Sequence, residues 1–199
     1  MRAVGSINQF DQPAPDVARP AEPGRTALLD AGRRLVAEGM PLSRLSANAV
    51  VAEASLSKGA FFQHFPRKRD YLIELHRQFH DALLFELEVR IGPMEPGVER
   101  LRRGVACYLD FCLDHATTKA FLFDARADGD LADVVSERNE QFARVVAEDL
   151  TAMGWVQALE VARLVVASVA EVALIEQSLV RRNPSQRGAL AALIGFDRS

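Results

Sequence analysis

The sequence predicts an all-α protein of about nine helices, in which a small N-terminal helical domain precedes a larger helical bundle. Apolar residues recur at spacings of three and four, strand-like alternation is absent, and Pro and Gly fall between the periodic segments. The chain has 199 residues and is 49% hydrophobic, which is enough to bury a core. We therefore expect a globular helical protein.

Residues 1–24 precede the first periodic segment. They contain four Pro and two Gly residues and show no helical spacing, which predicts a disordered arm. A basic arm can reach a DNA groove, but the two Arg residues here are outnumbered by three acidic residues, so this role stays the less favoured alternative.

The first helix carries one apolar stripe, formed by Leu28, Ala31, Leu35 and Val36, and we expect it to end at Gly39. Ser46 is placed to cap a second, short helix that runs through Glu53. A turn from Ala54 to Ser57 then leads into a third helix, Lys58–His64, with Ser57 as its N-cap. A fourth helix runs from Arg67 to about Ile91, and further helices are predicted at about 98–115, 118–126, 131–152, 157–182 and 185–195.

Charge is distributed unevenly along the chain. Residues 25–69 contain eight Lys/Arg and three Asp/Glu, a net charge of +5, whereas residues 70–199 contain 14 and 21, a net charge of −7. A small basic module joined to a larger acidic body is typical of a protein with a localised polyanion-binding surface.

The sequence lacks the features that would indicate a disulfide-rich, metal-binding, membrane-spanning or catalytic protein. Only Cys107 and Cys112 are present, without His/Cys ligands at metal-binding spacing, which favours a reducing cytoplasm over a disulfide scaffold or zinc site. The longest apolar stretch, Val161–Ile175, contains two charged residues and is too short to span a membrane. No nucleophile–base pair, phosphate loop or cofactor fingerprint occurs, so we expect neither an enzyme nor a cofactor.

Residues 46–65 have the properties that a helix-turn-helix requires: small residues where two helices cross, a polar turn and apolar anchors. The small residues are Ala49, Ala52 and Ala54, the turn residues are Ser55 and Ser57, and the anchors are Val50, Leu56, Phe61 and Phe65.

The outward face of the third helix then presents side chains that suit DNA. Gln63 can pair bidentately with adenine, Lys58 can reach guanine or phosphate, and Gly59 allows close backbone approach. The predicted DNA-binding residues are Arg44, Ser46, Ser57, Lys58, Gly59, Phe62, Gln63, His64, Arg67 and Lys68. The alternative is a structural three-helix unit with a solvated basic face.

The run Val50-Val51, followed by Ser55-Leu56-Ser57-Lys58-Gly59-Ala60-Phe61-Phe62-Gln63-His64-Phe65-Pro66-Arg67-Lys68, closely resembles the DNA-binding domain of the TetR/AcrR family. The resemblance places the family's phosphate-contacting Lys on Lys68 and its phosphate-contacting Tyr on Phe62, which lacks the hydroxyl. Ser55 stands where a turn Gly is usual, so it must either avoid or accept a positive φ. Leu45 stands where Thr is common, so Arg44 and Ser46 can contact DNA differently.

The segment Val161–Ile175 is apolar on all sides, which requires burial on two sides. It resembles the family's dimerising helix, with Ala189–Ile194 beside it, and the small residues Ala167, Ser168, Ala170 and Ala173 allow close approach. We expect a homodimer on a near-palindromic operator in double-stranded DNA, because two subunits present two reading helices to successive half-sites.

The resemblance also implies a pocket for a small-molecule effector, and the residue types favour an apolar or aromatic one. The candidate ligand-binding residues are Phe79, Leu83, Tyr108, Phe111, Cys112, His115, Phe121, Phe142 and Glu171. For the aromatic residues, an ordinary core position is the alternative.

Two other pairs have a spacing that can carry chemistry. His76 and His80 share one helix face and can hold a metal, but no third ligand is evident, so we expect no metal site. Asp110 and Asp114 have the same spacing, which a solvated face explains more simply than acid–base catalysis.

The expected function is that of a cytoplasmic, sequence-specific transcriptional regulator, a repressor that its effector releases from DNA. The predicted domains are a helix-turn-helix domain at 25–70 and a ligand-binding and dimerisation bundle at 71–199. An architectural DNA-binding protein without effector control is the main alternative, and activation rather than repression stays open.

Overall fold

The computed structural model describes residues 22–115, 117, 120–127, 129 and 131–195. Over these residues the protein is helical and contains no β-strand, which confirms the predicted all-α class. The α-helices of the described residues are α1 Pro23–Ala37, α2 Ala47–Ala54, α3 Lys58–His64, α4 Lys68–Ile91, α5 Val98–Asp114, α6 Ala125–Ala127, α7 Ala132–Ala152, α8 Ala158–Leu179 and α9 Pro184–Ile194. Of the predicted arm, residues 1–21 lie outside the described residues, and α1 already begins at Pro23.

Two short helical segments complete the fold. A 3₁₀ turn, Leu42–Arg44, links α1 to α2, and a π-helix, Ala120–Asp124, leads into α6. The sequence predicted an ordinary helix at about 118–126. Apolar spacing over a single turn does not distinguish the i→i+5 bonds of a π-helix from α-helical bonds.

The chain forms two compact units, whose boundary falls within α4 between Asp81 and Ala82. The head unit contains residues 22–81 and the described residues of 115–134. The bundle unit contains residues 82–114 and 135–195. The domains predicted at 25–70 and 71–199 remain a prediction.

The head unit is held together by an aromatic cluster of Phe61, Phe65 and Tyr71. The ring centroids of Phe61 and Phe65 lie 5.1 Å and 5.0 Å from that of Tyr71. The Tyr71 hydroxyl donates a hydrogen bond of 2.8 Å to the Leu28 carbonyl in α1. Gly32 makes this contact possible, because a Cβ atom at this position would stand 1.9 Å from the Tyr71 hydroxyl oxygen. The aromatic cluster thus fixes α1 against α3 and α4.

The bundle unit contains an ionic network that joins three helices around the buried Glu176. Glu176 of α8 is fully buried and accepts two hydrogen bonds, of 2.7 Å and 2.6 Å, from the Arg187 guanidinium of α9. Arg187 also pairs with Asp110 of α5 at 2.8 Å, and the Asn183 N–H donates to Glu176. The network fixes α9 on α8 and α5.

Five of the described helices, α1, α2, α7, α8 and α9, are followed within two residues by a residue with positive φ. Gly39 follows α1 with φ 95°, which confirms the predicted left-handed end of the first helix. Ser55 after α2 and Val180 after α8 adopt φ of 55° and 52° without being glycine. Ser55 therefore accepts the positive φ that the usual Gly of this turn would adopt at lower cost. None of the helices among the described residues has the length and apolarity needed to cross a bilayer.

Candidate nucleic-acid interface

Serine side chains define both ends of the turn between α2 and α3. The Ser46 hydroxyl accepts a hydrogen bond of 3.2 Å from the Ala49 N–H and so caps α2, while Ser57 accepts one of 3.1 Å from the Ala60 N–H and caps α3. Between the caps, Ser55 turns the chain with its left-handed backbone. The predicted caps are confirmed, and α2, the turn and α3 have the order and lengths of a helix-turn-helix.

One face of α3 is exposed and the other is anchored in the head unit. Phe61 is completely buried, whereas Lys58, Gly59 and Gln63 are exposed and Phe62 keeps 44% of its surface accessible. These four residues follow a spacing of one, three and one, so they occupy a single helix face. The Gln63 amide forms no hydrogen bond with the part of the chain that the structure describes, so it can pair with an external group.

No contact within the described part of the chain requires a glycine at Gly59. A Cβ atom at this position would meet only the Ser57 hydroxyl oxygen, at an ordinary contact distance of 3.7 Å. Glycine inside a helix is less favourable than alanine. The residue therefore leaves room for a partner outside the chain.

His64 has a different environment from the other residues predicted to read DNA. Its side chain is 13% exposed, and its Nδ1 atom lies 2.9 Å from an oxygen of Glu22. Its Nε2 atom would stand 2.7 Å from a Cβ atom at Gly24, so the imidazole packs against the start of α1. His64 thus ties the end of α3 to the start of α1.

About half of the cations of the basic module are compensated by nearby carboxylates. Ion pairs join Arg25 to Glu74, Arg33 to Asp30, Arg34 to Glu53 and Arg67 to Asp70. By contrast, Arg44, Lys58 and Lys68 form no ion pair with any described residue. These three cations lie before α2, on α3 and at the start of α4, and their positive charge is available to a polyanion.

Arg67 and Asp70 organise the start of α4. The Asp70 carboxylate accepts hydrogen bonds from the Arg67 backbone N–H at 3.2 Å and from its guanidinium at 3.1 Å and 2.8 Å. These hydrogen bonds hold the pKa of Asp70 below its usual value. Arg67 nevertheless remains 71% exposed, next to Lys68, the first residue of α4.

Leu45 is 1% exposed and belongs to the core of the head unit. Its neighbours Arg44 and Ser46 are both exposed. A buried leucine between two exposed polar residues anchors this connection, so that Arg44 and Ser46 are presented at the surface on either side of it.

The predicted ligand-binding residues fall in different environments. In the head unit, Phe79 and Phe121 are buried with ring centroids 5.3 Å apart, while His115 is exposed. In the bundle unit, Leu83, Phe111 and Cys112 are buried, and Glu171 is exposed. Tyr108 and Phe142 line one cavity of the bundle unit, whose wall contains no other residue of the predicted set.

The sequence reasoning missed most of that cavity. Its wall consists mainly of aliphatic residues together with Arg100 and Asp149, whereas the prediction followed aromatic and isolated polar residues. The sequence held a signal for these two charged residues, because Arg100 falls among the buried positions of α5 and Asp149 among those of α7.

His76 and His80 are both buried on α4, and their Nε2 atoms lie 3.2 Å apart. Within the described ranges, no group of three or more His, Cys, Asp or Glu residues is arranged to hold a metal ion. Cys107 and Cys112 are buried free thiols.

Part of the chain matches a known family model. Residues 28–75 match the family model described as bacterial regulatory proteins, tetR family, which confirms the resemblance inferred from the helix-turn-helix residues. No curated protein matches the chain.

Solved structures share the fold over most of the chain. A transcriptional regulator from Rhodococcus sp. Rha1 has a TM-score of 0.70 at 22% identity, covering 86% of this chain and 94% of that protein. Salmonella enterica GusR has a TM-score of 0.70 at 17% identity, covering 92% and 99%. The fatty acid degradation regulator FadR from Bacillus halodurans has a TM-score of 0.69 at 14% identity, covering 88% and 95%.

Proposed function

We propose that this chain, a TetR-family transcriptional regulator by its helix-turn-helix domain, is a homodimeric repressor that a small-molecule effector releases from a near-palindromic operator. The observation that carries the DNA-binding part is the exposed face of α3, where Lys58, Gly59, Phe62 and Gln63 lie together beside uncompensated cations. Catalysis plays no part in this proposal, and the protein acts in the cytoplasm.

Sequence reading falls mainly to Gln63 and Lys58. The Gln63 amide can donate to and accept from adenine, and Lys58 can reach guanine or a phosphate. Gly59 lets the backbone of α3 approach the groove floor. Phe62 lacks a hydroxyl, so its exposed ring packs against sugar rather than bonding to phosphate.

Phosphate contacts orient the head without reading sequence. Arg44 before α2 and Lys68 at the start of α4 carry uncompensated charges, and Arg67 adds an exposed guanidinium beside Lys68. The hydroxyl oxygens of Ser46 and Ser57 accept the cap hydrogen bonds, so their own protons can be donated to phosphate oxygens. In this proposal His64 positions α3 through Glu22 and does not contact a base.

Dimerisation is assigned to the exposed sides of α8 and α9. Leu164 and Leu193 are 69% and 65% exposed, and Ala167 lies on the same side of α8 as Leu164. Ala170 and Ala173 are buried inside the subunit, so the partner contact uses Leu164 and Ala167 instead. Large apolar side chains exposed on adjacent helices favour a protein–protein contact. Leu164→Arg should therefore yield a monomer in sedimentation velocity experiments.

Effector control requires only a modest preference between two states. An effector that favours the state unable to bind DNA by about 1–3 kcal/mol lowers the operator affinity about five- to 150-fold. Release by effector and repression are the general behaviour of TetR regulators, and they are proposed for this chain on that basis.

The decisive experiment selects binding sites for the purified, ligand-free protein from a pool of random duplexes. We expect a near-palindromic site and much weaker binding to unrelated duplexes. Gln63→Ala should relax the preference at one base position in each half-site, whereas Lys68→Ala should weaken all sequences alike and reduce the salt dependence.

Glu137→Gln, a neutralising change at an exposed residue of α7, serves as the control and should leave both readouts unchanged. Equal affinity for selected and unrelated duplexes would favour an architectural DNA-binding protein. Equal losses on both kinds of duplex for Gln63→Ala would remove the role of Gln63 in base reading.

A further inference from the structure

A cavity lies within the bundle unit, between the C-terminal part of α4 and helices α5, α7 and α8. The cavity has a volume of about 70 Å³ and is partly open to solvent. Its wall is aliphatic and aromatic, with residues that include Leu87, Leu101, Tyr108, Phe142, Val145 and Val169. The wall is suited to an apolar molecule.

Two charged residues, Arg100 and Asp149, belong to this wall, and both are about 2% exposed. The Arg100 Nε atom donates to Asp149 Oδ1 at 2.7 Å, and the Gly97 N–H donates to the same oxygen at 2.8 Å. The Arg100 Nη2 atom also lies 3.0 Å from an oxygen of Glu148. The one cation in the wall is therefore matched by two carboxylates.

This balance determines which ligands the cavity accepts. An anionic ligand would have to displace a carboxylate from Arg100, which breaks a buried ion pair and leaves a charge uncompensated. A cationic ligand would lose its hydration while Asp149 is already engaged by two donors. An uncharged ligand leaves the Arg100–Asp149 pair intact and gains the burial of its apolar surface.

We infer that this cavity binds an uncharged, largely apolar small molecule, and that the compensated Arg100–Asp149 pair excludes anionic ligands from it. The assignment of that molecule as the effector rests on the proposed function. The charge selectivity of the cavity does not, because it follows from the wall alone.

Isothermal titration with three eight-carbon probes tests the selectivity: 1-octanol, octanoate and octylammonium at pH 7. They share one chain and differ in head-group charge. We expect 1-octanol to bind at least about ten times more tightly than either ion. Val145→Phe, which fills the cavity with a larger apolar side chain, should abolish the binding of 1-octanol.

Asp149→Asn tests the role of the ion pair. Asparagine keeps an oxygen that can accept the Gly97 N–H while it removes the charge opposite Arg100. The ratio of octanoate affinity to 1-octanol affinity should rise at least about tenfold in this variant. Glu140→Gln is the matched control, because Glu140 pairs with Arg163 at 2.8 Å in the same unit without lining the cavity. This control should keep the wild-type ratio.

The inference is overturned if either ion binds the wild-type protein as tightly as 1-octanol, if none of the probes binds, or if folded Asp149→Asn keeps the wild-type ratio. Circular dichroism establishes that each variant is folded before titration. Selection of DNA by the ligand-free protein is an independent readout. A protein that selects an operator but binds no probe retains the proposed DNA function, whereas one that binds 1-octanol but selects no site retains only the cavity assignment.

Discussion

Replacing Gly59 by alanine should change stability and DNA affinity in opposite directions. Gly59 is the second residue of α3, it is exposed, and a Cβ atom there would contact only the Ser57 hydroxyl oxygen at 3.7 Å. The new methyl group therefore meets no obstacle inside the protein. Alanine is favoured over glycine in a helix by roughly 0.5–1 kcal/mol, and the low end applies close to a helix end.

A gain of about 0.5 kcal/mol should raise the Tm by roughly 1–2 °C in a chain of this size. The same methyl group would stand between α3 and the groove floor. We expect the operator affinity to fall at least about tenfold, which corresponds to about 1.4 kcal/mol. A structural role for Gly59 predicts no such loss, because stabilising the head would leave DNA binding unchanged or improve it.

Thermal unfolding followed by circular dichroism and fluorescence anisotropy on the selected operator measure the two effects. Ser136→Ala, at an exposed position of α7, is the control for improved helix propensity and should raise the Tm slightly without changing affinity. A Gly59→Ala protein that gains stability and keeps full operator affinity would refute the placement of α3 in the groove. A loss of stability would instead refute the steric argument.

Three further substitutions test the fold. Gly32→Ala should lower the free energy of unfolding by about 2–3 kcal/mol, because the new Cβ would stand 1.9 Å from the Tyr71 hydroxyl oxygen. Adding Tyr71→Phe should recover part of this loss in urea unfolding, and an unchanged stability of the single variant would contradict the steric overlap. Val180→Gly should stabilise the protein by about 1 kcal/mol, because Val180 is 84% exposed and has φ 52°. Val156→Gly, at another exposed valine, is the control and should destabilise the protein. If both variants change the free energy of unfolding in the same direction, backbone strain at Val180 is ruled out as the cause. Burial raises the pKa of Glu176, but the hydrogen bonds from Arg187 and the Asn183 N–H outweigh it and hold that pKa below its usual value. The stabilisation by the Glu176 carboxylate is therefore fully present above the unfolded pKa and is lost as the pH falls through the folded pKa. Glu176→Gln should lower the free energy of unfolding by about 2–3 kcal/mol at pH 7, and this difference should shrink below about pH 4.5. A difference that stays constant with pH would contradict the role of the ion pair.

The helical architecture could be predicted because its signals are local. Apolar spacing marks each long helix, and Ser46, Ser57 and Gly39 mark helix ends through interactions with their own neighbours in the chain. The π-helix at Ala120–Asp124 was not predicted, since it depends on one extra residue per turn rather than on a change in composition.

The candidate interface was predictable only where exposure follows from helix periodicity. Once Phe61 is assigned to the core, the positions of Lys58, Gly59 and Gln63 on the opposite face follow from helix geometry. The environment of His64 does not, because its partner Glu22 comes from the start of α1, 42 positions away in the sequence. The cavity escaped prediction for the same reason: aliphatic residues on four helices look like ordinary core until their packing leaves a space.

Two of the departures from the family pattern, Ser55 and Phe62, have different consequences. Ser55 takes the left-handed conformation that the usual turn glycine would take, so this substitution costs conformational energy of about 1 kcal/mol and leaves the turn intact. Phe62 keeps its position on the exposed face of α3 but loses a hydrogen-bonding group, so this substitution changes chemistry and leaves the backbone intact. In the proposed complex, Phe62 cannot donate a hydrogen bond to phosphate, so phosphate binding depends mainly on the uncompensated cations Arg44, Lys58 and Lys68. Affinity for DNA should therefore depend on salt more than on hydroxyl contacts, while discrimination between sequences depends mainly on Gln63 and Lys58.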